Sequence, residues 1–381
     1  MDDSNFREAE EETPPVEVHF HPFVKYAVGG IAALALIAVL FTVTPAKIFG
    51  ACENYLIATP APSVNLIDQI HVSSAPESAT QSESSTPESD GAKLFAVGVL
   101  AYGFPGESDI SLSHCLLADV TKGIEVEKLS PKEYEELGEK LANLPADDGF
   151  AESVDSAFGA AFSEMGLPYS SEIVFNKDSA TGVQKGDQLV GVVTSAGEHN
   201  IGNTTDLAEV MQQIPPATKV QVTVKRNQGT TVLELPTVTP EDEVPGSRFA
   251  DELTTTQNYG KYHPVMESEA NGPSGGLAMA LTTMHKLGAD LLGKDYVAVT
   301  GAIRANGMVA PIGGIVPKIY AAYHDGAKWF LAPDINCNEL KDAKLPEGIT
   351  PVRVKNLKQA AEVLRAIKSG QTDKLEVCPH K

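Results

Sequence analysis

Two glycine-rich turns decide the fold of the carboxyl-terminal part of this sequence: residues 271–287 read NGPSGGLAMALTTMHKL, and residues 310–323 read APIGGIVPKIYAAY. In the first stretch, apolar residues between Leu277 and Met284 recur at helical spacing, which predicts a helix. Ser274 then lies at the amino terminus of that helix. Free backbone N–H groups and the helix dipole favour negative charge at such a terminus. The stretch therefore offers the environment that a serine nucleophile and its oxyanion require.

The second turn opens another predicted helix and carries a lysine one turn inside it. Ile315, Ile319 and Ala322 surround Lys318 with apolar neighbours at helical spacing. Burial lowers the pKa of a lysine, and a neutral amine can act as a general base, so serine with a desolvated lysine is a known nucleophile–base pair. Each half has an ordinary alternative when taken alone, because a serine in such a turn is often only a helix cap and a helical lysine is usually at the surface.

Together, the two turns resemble the proteolytic domain of Lon proteases over about Gly260 to Ala366. The matching residues are Gly272 to Gly276, Val299 to Ile303, Gly307, Val309, Pro311 to Gly314, Lys318, Ala321, Ala322, Gly326 to Lys328, Pro333 and Asn336. The resemblance implies an α/β Lon-type fold and a ring-shaped homo-oligomer, a hexamer.

The resemblance also implies roles for individual residues. Ser274 takes the place of the nucleophile, Lys318 that of the base, and Thr300 that of the threonine which holds the lysine. The supporting residues of the serine turn are Gly272, Pro273 and Gly275.

Three positions depart from the family pattern. Gly275 replaces an alanine, Ala302 stands where a glutamate is usual, and Pro317 replaces the acidic residue that commonly precedes the lysine. The sequence also contains no Gly-x4-Gly-Lys-Ser/Thr, the phosphate-binding loop of the ATP-driven motor in Lon. We therefore expect peptidase chemistry without ATP, and no cofactor. No His-Glu-x-x-His or other metal motif occurs in the sequence, so we expect no metal.

The chain as a whole is acidic. Lys plus Arg total 29 against 51 Asp plus Glu over 381 residues, and the net charge of −22 argues against nucleic-acid binding.

The amino-terminal part contains two segments that differ from the rest of the chain. Residues 1–23 form an acidic tail that we expect to be disordered. Residues 26–46 contain no charge and are long enough for a single transmembrane helix, predicted within 24–46, rather than a signal peptide or a core helix. A weak positive-inside bias places the catalytic domain outside the cytoplasm.

A PDZ-like domain is predicted at residues 171–240. The resemblance rests on Ala180 to Leu189, the Gly197-Glu198 turn, the short helix near 205–211 and the alternating strand Lys219 to Arg226. Such a domain binds a peptide as an added strand, so Gly182 and Val183 are candidate peptide-binding residues. The alternative is a small β domain that only spaces its neighbours.

We therefore predict an α+β multidomain protein: tail 1–23, transmembrane helix 24–46, extracytoplasmic region 47–170 with a Ser/Pro-rich linker at 73–90, PDZ-like domain 171–240 and Lon-type serine protease domain 241–381. The whole layout resembles the bacterial membrane-anchored, PDZ-containing Lon-like serine proteases. The predicted function is a membrane-anchored, ATP-independent serine endopeptidase acting on unfolded or flexible extracytoplasmic proteins, which the PDZ-like domain selects. The alternatives are a non-catalytic membrane adaptor and a processing enzyme for one partner. Cys337 and Cys378 either form a disulfide or are two free thiols, and Cys52 has no assigned role.

Overall fold

The computed structural model describes residues 39–40, 42, 44–49, 51–74, 93–106, 110–118, 120–142, 150–179, 181–202, 206–207, 210, 214, 219–227, 229–236, 253–267 and 272–381. The predicted acidic tail, most of the predicted span 24–46 and nearly all of the linker 73–90 lie outside these residues. Within them, no helix combines the length and the hydropathy needed to cross a membrane. Ala46, the last residue of the predicted span, is buried and donates its backbone N–H to the carbonyl of Ile110.

The largest unit is built on a five-stranded sheet in the order β18-β17-β14-β4-β2. The strands are β2 (Val64–Asn65), β4 (Leu94–Ala96), β14 (Val297–Val299), β17 (Trp329–Pro333) and β18 (Thr350–Val354). All run parallel except β2, which is antiparallel to β4. The parallel strands are short, largely apolar runs because helices cover both faces of the sheet. We call this unit the main domain.

Four of the described helices form two layers on this sheet. The described helices are α1 (Leu112–Leu117), α2 (Pro131–Ala142), α3 (Phe150–Glu164), α4 (Gly276–Lys286), α5 (Ile315–His324) and α6 (Leu357–Ser369). The helices α3, α4 and α6 share one core with the side chains of Val297 and Val299, whereas α5 packs with Ala298 on the opposite face. Ser130 followed by Pro131 predicts a helix at 131–144, and the sequence also predicts helices at 152–165 and after Gly276. All three are confirmed within a few residues at their ends.

The main domain draws residues from both ends of the chain. β4 pairs with β14 in parallel register, Leu94 opposite Val297, and α3 packs against α4 in the common core. The predicted limits of 47–170 and 241–381 therefore separate residues that the structure packs together. A pairing between strands about 200 residues apart leaves no local pattern in the sequence. The apolar run at 93–102 by itself predicts only a single buried strand.

A second, smaller unit lies between α3 and α4 in the chain, and we call residues 170–258 the small β domain. Its antiparallel sheet has the order β11-β10-β8-β7-β12, with β9 beside β8. The strands are β7 (Ser170–Phe175), β8 (Gln188–Thr194), β9 (Gly197–Asn200), β10 (Lys219–Arg226), β11 (Gly229–Pro236) and β12 (Leu253–Asn258). The strand predicted at 219–226 is confirmed. Its core is separate from that of the main domain. Ser170 and Asn258 face each other across β7 and β12, so the two ends of this unit lie side by side.

The remaining strands form small sheets. They are β1 (Tyr55–Pro60), β5 (Val99–Tyr102) and β6 (Glu125–Lys128) in the order β5-β1-β6, β3 (Ile70–Ser74) with β13 (Tyr262–Met266), and β15 (Ala302–Ile303) with β16 (Val309–Ala310). The single strand predicted at 93–102 is wrong, because the chain leaves the main sheet after Ala96 to pair with β1. Cys52 and Cys115 form a disulfide, so Cys52 has a structural role that the sequence did not reveal.

Candidate active site

Ser274 lies in a single 3-10 turn, Pro273–Gly275, that leads directly into α4. Its carbonyl oxygen accepts hydrogen bonds from the backbone N–H of Gly301 at 2.8 Å and from Thr300 Oγ1 at 3.2 Å. The carbonyl of Gly301 in turn accepts from the N–H of Leu277 at 2.9 Å. These bonds fix the serine turn at the carboxyl end of β14, where the chain leaves the sheet.

Lys318 lies in the first turn and a half of α5 and is only 3% exposed. The helix begins at Gly314, whose positive φ of 67° is a backbone conformation that favours glycine. Burial lowers the pKa of Lys318 to about 8 from its ordinary value of 10.5, and desolvation is the sole cause. No acidic side chain in the described part of the chain forms an ion pair with Lys318. A substantial fraction of Lys318 is therefore neutral slightly above neutral pH.

The serine turn and the turn that begins the Lys318 helix lie beside the same short segment of the main domain, residues 96–99. A methyl group built on Gly275 would lie 4.0 Å from Cβ of Ala96, and one built on Gly314 would lie 3.1 Å from Cγ1 of Val99. Ala96 is the last residue of β4 and Val99 begins β5, so both turns are at the carboxyl-end edge of the parallel strands. In open α/β sheets this edge is the usual place for a functional site. The fold thus brings the serine turn and the lysine helix to one edge from 44 residues apart in the chain.

A buried asparagine holds the glycine-rich turn that precedes Lys318. Asn336 is 1% exposed, and its Oδ1 accepts from the N–H of Ile312 at 3.0 Å while its Nδ2 donates to the carbonyl of Ile312 at 2.8 Å. The next residue, Cys337, forms a disulfide with Cys378, which settles the alternative of two free thiols in this structure. The motif had identified Asn336 without a role, and the structure gives it one as a clamp on the turn 311–314.

The structure accounts for two of the three departures from the family pattern. The space beside Gly275 accommodates a methyl group, since the nearest side-chain carbons are at 4.0 Å, so glycine in place of alanine removes no essential contact. Pro317 lies in the first turn of α5, where a missing N–H costs little. It also brings no carboxylate next to Lys318, which keeps the pKa of the lysine low. Nothing in the structure explains Ala302.

Two sets of predicted residues have a different environment from the one expected. Thr300 is fully buried, and its hydroxyl donates to the carbonyl of Ser274, so its contact is with the serine turn; its predicted role toward Lys318 stays a prediction. Val183 is 2% exposed and belongs to the core of the small β domain, so its side chain cannot contact a peptide. The carbonyl of Gly182 accepts a hydrogen bond from Arg226 Nη2 at 2.8 Å. This bond ties the turn to strand β10 and so stabilises the small β domain.

The turn also depends on a residue that sequence reasoning missed. Ser153 of α3 donates its hydroxyl to the carbonyl of Pro273 at 3.2 Å. No motif contains Ser153, and only the packing of α3 on α4 brings it to the site.

At this edge the fold places a serine at a helix amino terminus and a buried lysine of lowered pKa, an arrangement whose chemistry can support hydrolysis. Residues 264–368 match the Lon protease (S16) C-terminal proteolytic domain. The sequence is 39% identical over 95 residues to Lon protease 2 of Bacillus subtilis, covering 24% of this chain and 16% of the relative. It is 30% identical over 183 residues to the Lon protease of Helicobacter pylori, covering 46% of this chain and 22% of the relative.

This part of the chain is therefore similar to the proteolytic domain of Lon proteases, which is a serine peptidase domain. The chain spans less than a quarter of the length of these relatives. The match to the H. pylori protein covers more residues of this chain than the family match at 264–368.

Proposed function

We propose that this protein is a serine endopeptidase in which Ser274 is the nucleophile and Lys318 the general base. The observation that carries the proposal is that both turns lie at one edge of the sheet. The serine turn and the turn that begins the Lys318 helix both lie beside residues 96–99, and the buried lysine has a lowered pKa. Serine alone is a weak nucleophile at neutral pH, and a neutral amine nearby is one of the established ways to activate it.

The proposed reaction divides the work between the two residues. Lys318 takes the proton from Ser274 Oγ as that oxygen attacks the scissile carbonyl, and the same proton then passes to the leaving amine. Backbone N–H groups of the serine turn that precedes α4 stabilise the oxyanion, because the helix dipole favours negative charge there, whereas the N–H groups of Gly276 and Leu277 already donate to the carbonyls of Pro273 and Gly301. Water then hydrolyses the acyl-enzyme, again with Lys318 as base, and restores the serine.

The substrates we propose are unfolded or flexible proteins. No phosphate-binding loop occurs in this sequence to power unfolding, so a substrate has to present an unfolded segment already. Hydrolysis should therefore proceed without ATP.

The test is cleavage of an unstructured protein by the full chain, in detergent and without nucleotide, beside the matched variant Ser274→Ala. We expect the parent to produce fragments and Ser274→Ala to lose activity about 1,000-fold or more. Cleavage by Ser274→Ala at the parental rate would exclude Ser274 as the nucleophile. Absence of cleavage by the parent, over a range of pH and unstructured substrates, would favour the non-catalytic adaptor.

We further propose that the small β domain recruits substrates in the manner of a PDZ domain, through β12 rather than through Gly182 and Val183. Within the described residues, β12 is an edge strand of the sheet, paired only with β7. Edge strands carry unpaired backbone groups that an extended peptide can join. Along the chain, β12 is followed by β13 and then by the serine turn. A peptide bound to β12 would therefore be held by a segment that leads into the active-site turn.

Adding positive charge to the edge strand β12 tests whether this strand recruits substrates. Thr254 and Thr256 are exposed positions of β12, and lysine on an edge strand opposes strand addition. We expect Thr254→Lys with Thr256→Lys to raise KM for an unstructured protein about tenfold, with kcat for a short peptide unchanged. Val232→Lys, at an exposed position of the opposite edge strand β11, is the control. An equal KM rise in the control, or none in the β12 variant, would count against recruitment at β12.

We propose a single-pass membrane anchor within 24–46 with the described domains outside the cytoplasm, and assembly into a homo-oligomeric ring. The uncharged run at 26–46 and the two disulfides support this placement, since disulfides persist in oxidising compartments. Membrane fractionation with thiol labelling before and after reduction tests it. Recovery in the soluble fraction with four reactive thiols would contradict it.

A further inference from the structure

We propose that Ser153, on a helix outside the part of the chain that matches the Lon domain, is a positioning residue for the nucleophile. This inference rests on the proposed function of Ser274. Ser153 is 5% exposed on α3, and its hydroxyl donates to the carbonyl oxygen of Pro273 at 3.2 Å. Pro273 immediately precedes Ser274, so the bond ends one peptide unit from the proposed nucleophile.

The peptide plane makes this bond consequential. The carbonyl of Pro273 and the N–H of Ser274 belong to one rigid, planar unit, so fixing the carbonyl also fixes the direction of that N–H. The next carbonyl, that of Ser274, is held by Gly301 and Thr300. Both peptide units that flank the Cα of Ser274 are thus anchored, one from α3 and one from the end of β14.

Helix α3 packs so closely against the first turn of α4 that no side chain fits at Gly276 without movement of its neighbours. A methyl group built on Gly276 would lie 3.1 Å from Ser153 Oγ and 3.0 Å from the backbone nitrogen of Ile303. The absence of a side chain at Gly276 therefore allows α3 to approach the first turn of α4 closely enough for the hydrogen bond. Ser153 is buried whereas Pro273 is exposed, so the hydroxyl reaches the serine turn from its core side, beside the N–H of Gly276 that bonds the same carbonyl.

We predict that Ser153 affects the rate of catalysis and not the affinity for substrate. Misplacement of a nucleophile by a fraction of an ångström lowers the rate of attack while leaving distant binding contacts intact. We expect Ser153→Ala in the full chain to lower kcat for a peptide substrate about tenfold, with KM within twofold of the parent. Ser153→Thr, which keeps the hydroxyl, should recover at least part of the lost kcat.

The matched control is Ser156→Ala. Ser156 is on the same helix and is also buried, at 7% exposure, but it makes no hydrogen bond to the serine turn. Both alanine variants should have similar melting temperatures, and only Ser153→Ala should lose kcat. Equal losses in the two variants, or an unchanged kcat in Ser153→Ala, would overturn the positioning role.

Hydrogen exchange supplies a readout that does not depend on hydrolysis. We expect the backbone amides of residues 274–277 to exchange about tenfold faster in Ser153→Ala than in the parent or in Ser156→Ala. If the parent hydrolyses no substrate, the proposed function fails, and exchange alone then decides whether Ser153 fixes the turn. Unchanged exchange in Ser153→Ala would overturn the inference whatever the activity.

Discussion

Lys318→Met is expected to lower kcat about 1,000-fold at pH 8 and at the same time to make the folded protein more stable at pH 7. The loss of rate follows from removing the base that activates Ser274, for which general-base effects run to about 1,000-fold and beyond. The gain in stability follows because the lysine is 3% exposed and its pKa is lowered from 10.5 to about 8. Folding at pH 7 then carries an unfavourable free energy of up to about 3 kcal/mol, which methionine removes.

The pH dependence gives this prediction its sign. The neutral amine is the active form, so kcat/KM of the parent should rise about tenfold per pH unit below a pKa near 8 and level off above it. The stability advantage of Lys318→Met should be constant below pH 8 and should fade as pH rises toward 10.5, where the unfolded lysine also becomes neutral.

Lys328→Met is the control, because that side chain is exposed. It should change neither kcat nor the pH profile. Loss of activity in Lys318→Met together with a lower melting temperature would mean that the lysine supports the fold rather than the chemistry.

The second large effect concerns the domain limits. A fragment of residues 241–381 should not fold cooperatively, although it contains the whole family match. It lacks β4, which pairs with β14 inside the main sheet, and α3, which covers α4 with Phe158 and other buried residues. Removal of one buried phenylalanine alone costs about 3–5 kcal/mol, against a total stability of about 5–15 kcal/mol. Circular dichroism during heating should show no sharp transition for this fragment.

A deletion in the middle of the chain is the matched control. Joining residue 169 to residue 259 through a short glycine-serine linker removes the small β domain, and Ser170 and Asn258 are paired neighbours, so the linker spans little distance. The two cores are separate, so this variant should unfold cooperatively and still hydrolyse a short peptide. A folded, active fragment 241–381 would contradict the discontinuous main domain.

The sequence predicted the local parts of this protein well. The turn around Ser274, the helix around Lys318 and the strand 219–226 each depend on residues next to one another, and glycine placement and hydrophobic spacing indicate them directly. The resemblance to Lon also identified Asn336.

The sequence could not predict what depends on distant pairing. The parallel pairing of Leu94 with Val297, the hydrogen bond from Ser153 to Pro273 and the disulfide between Cys52 and Cys115 leave no periodic pattern. The burial of the Val183 side chain was also not predictable, since turn chemistry does not reveal which side chain the sheet buries.

The most direct test of the account is to trap the acyl-enzyme. The full chain is mixed at pH 8 with an activated peptide ester, quenched in acid and digested, and the acylated residue is located by mass spectrometry. The account predicts an acyl group on Ser274 in the parent, and an adduct that forms about 1,000-fold more slowly in Lys318→Met. Acylation of another residue, or of Ser274 at an unchanged rate in Lys318→Met, would contradict the proposed pair.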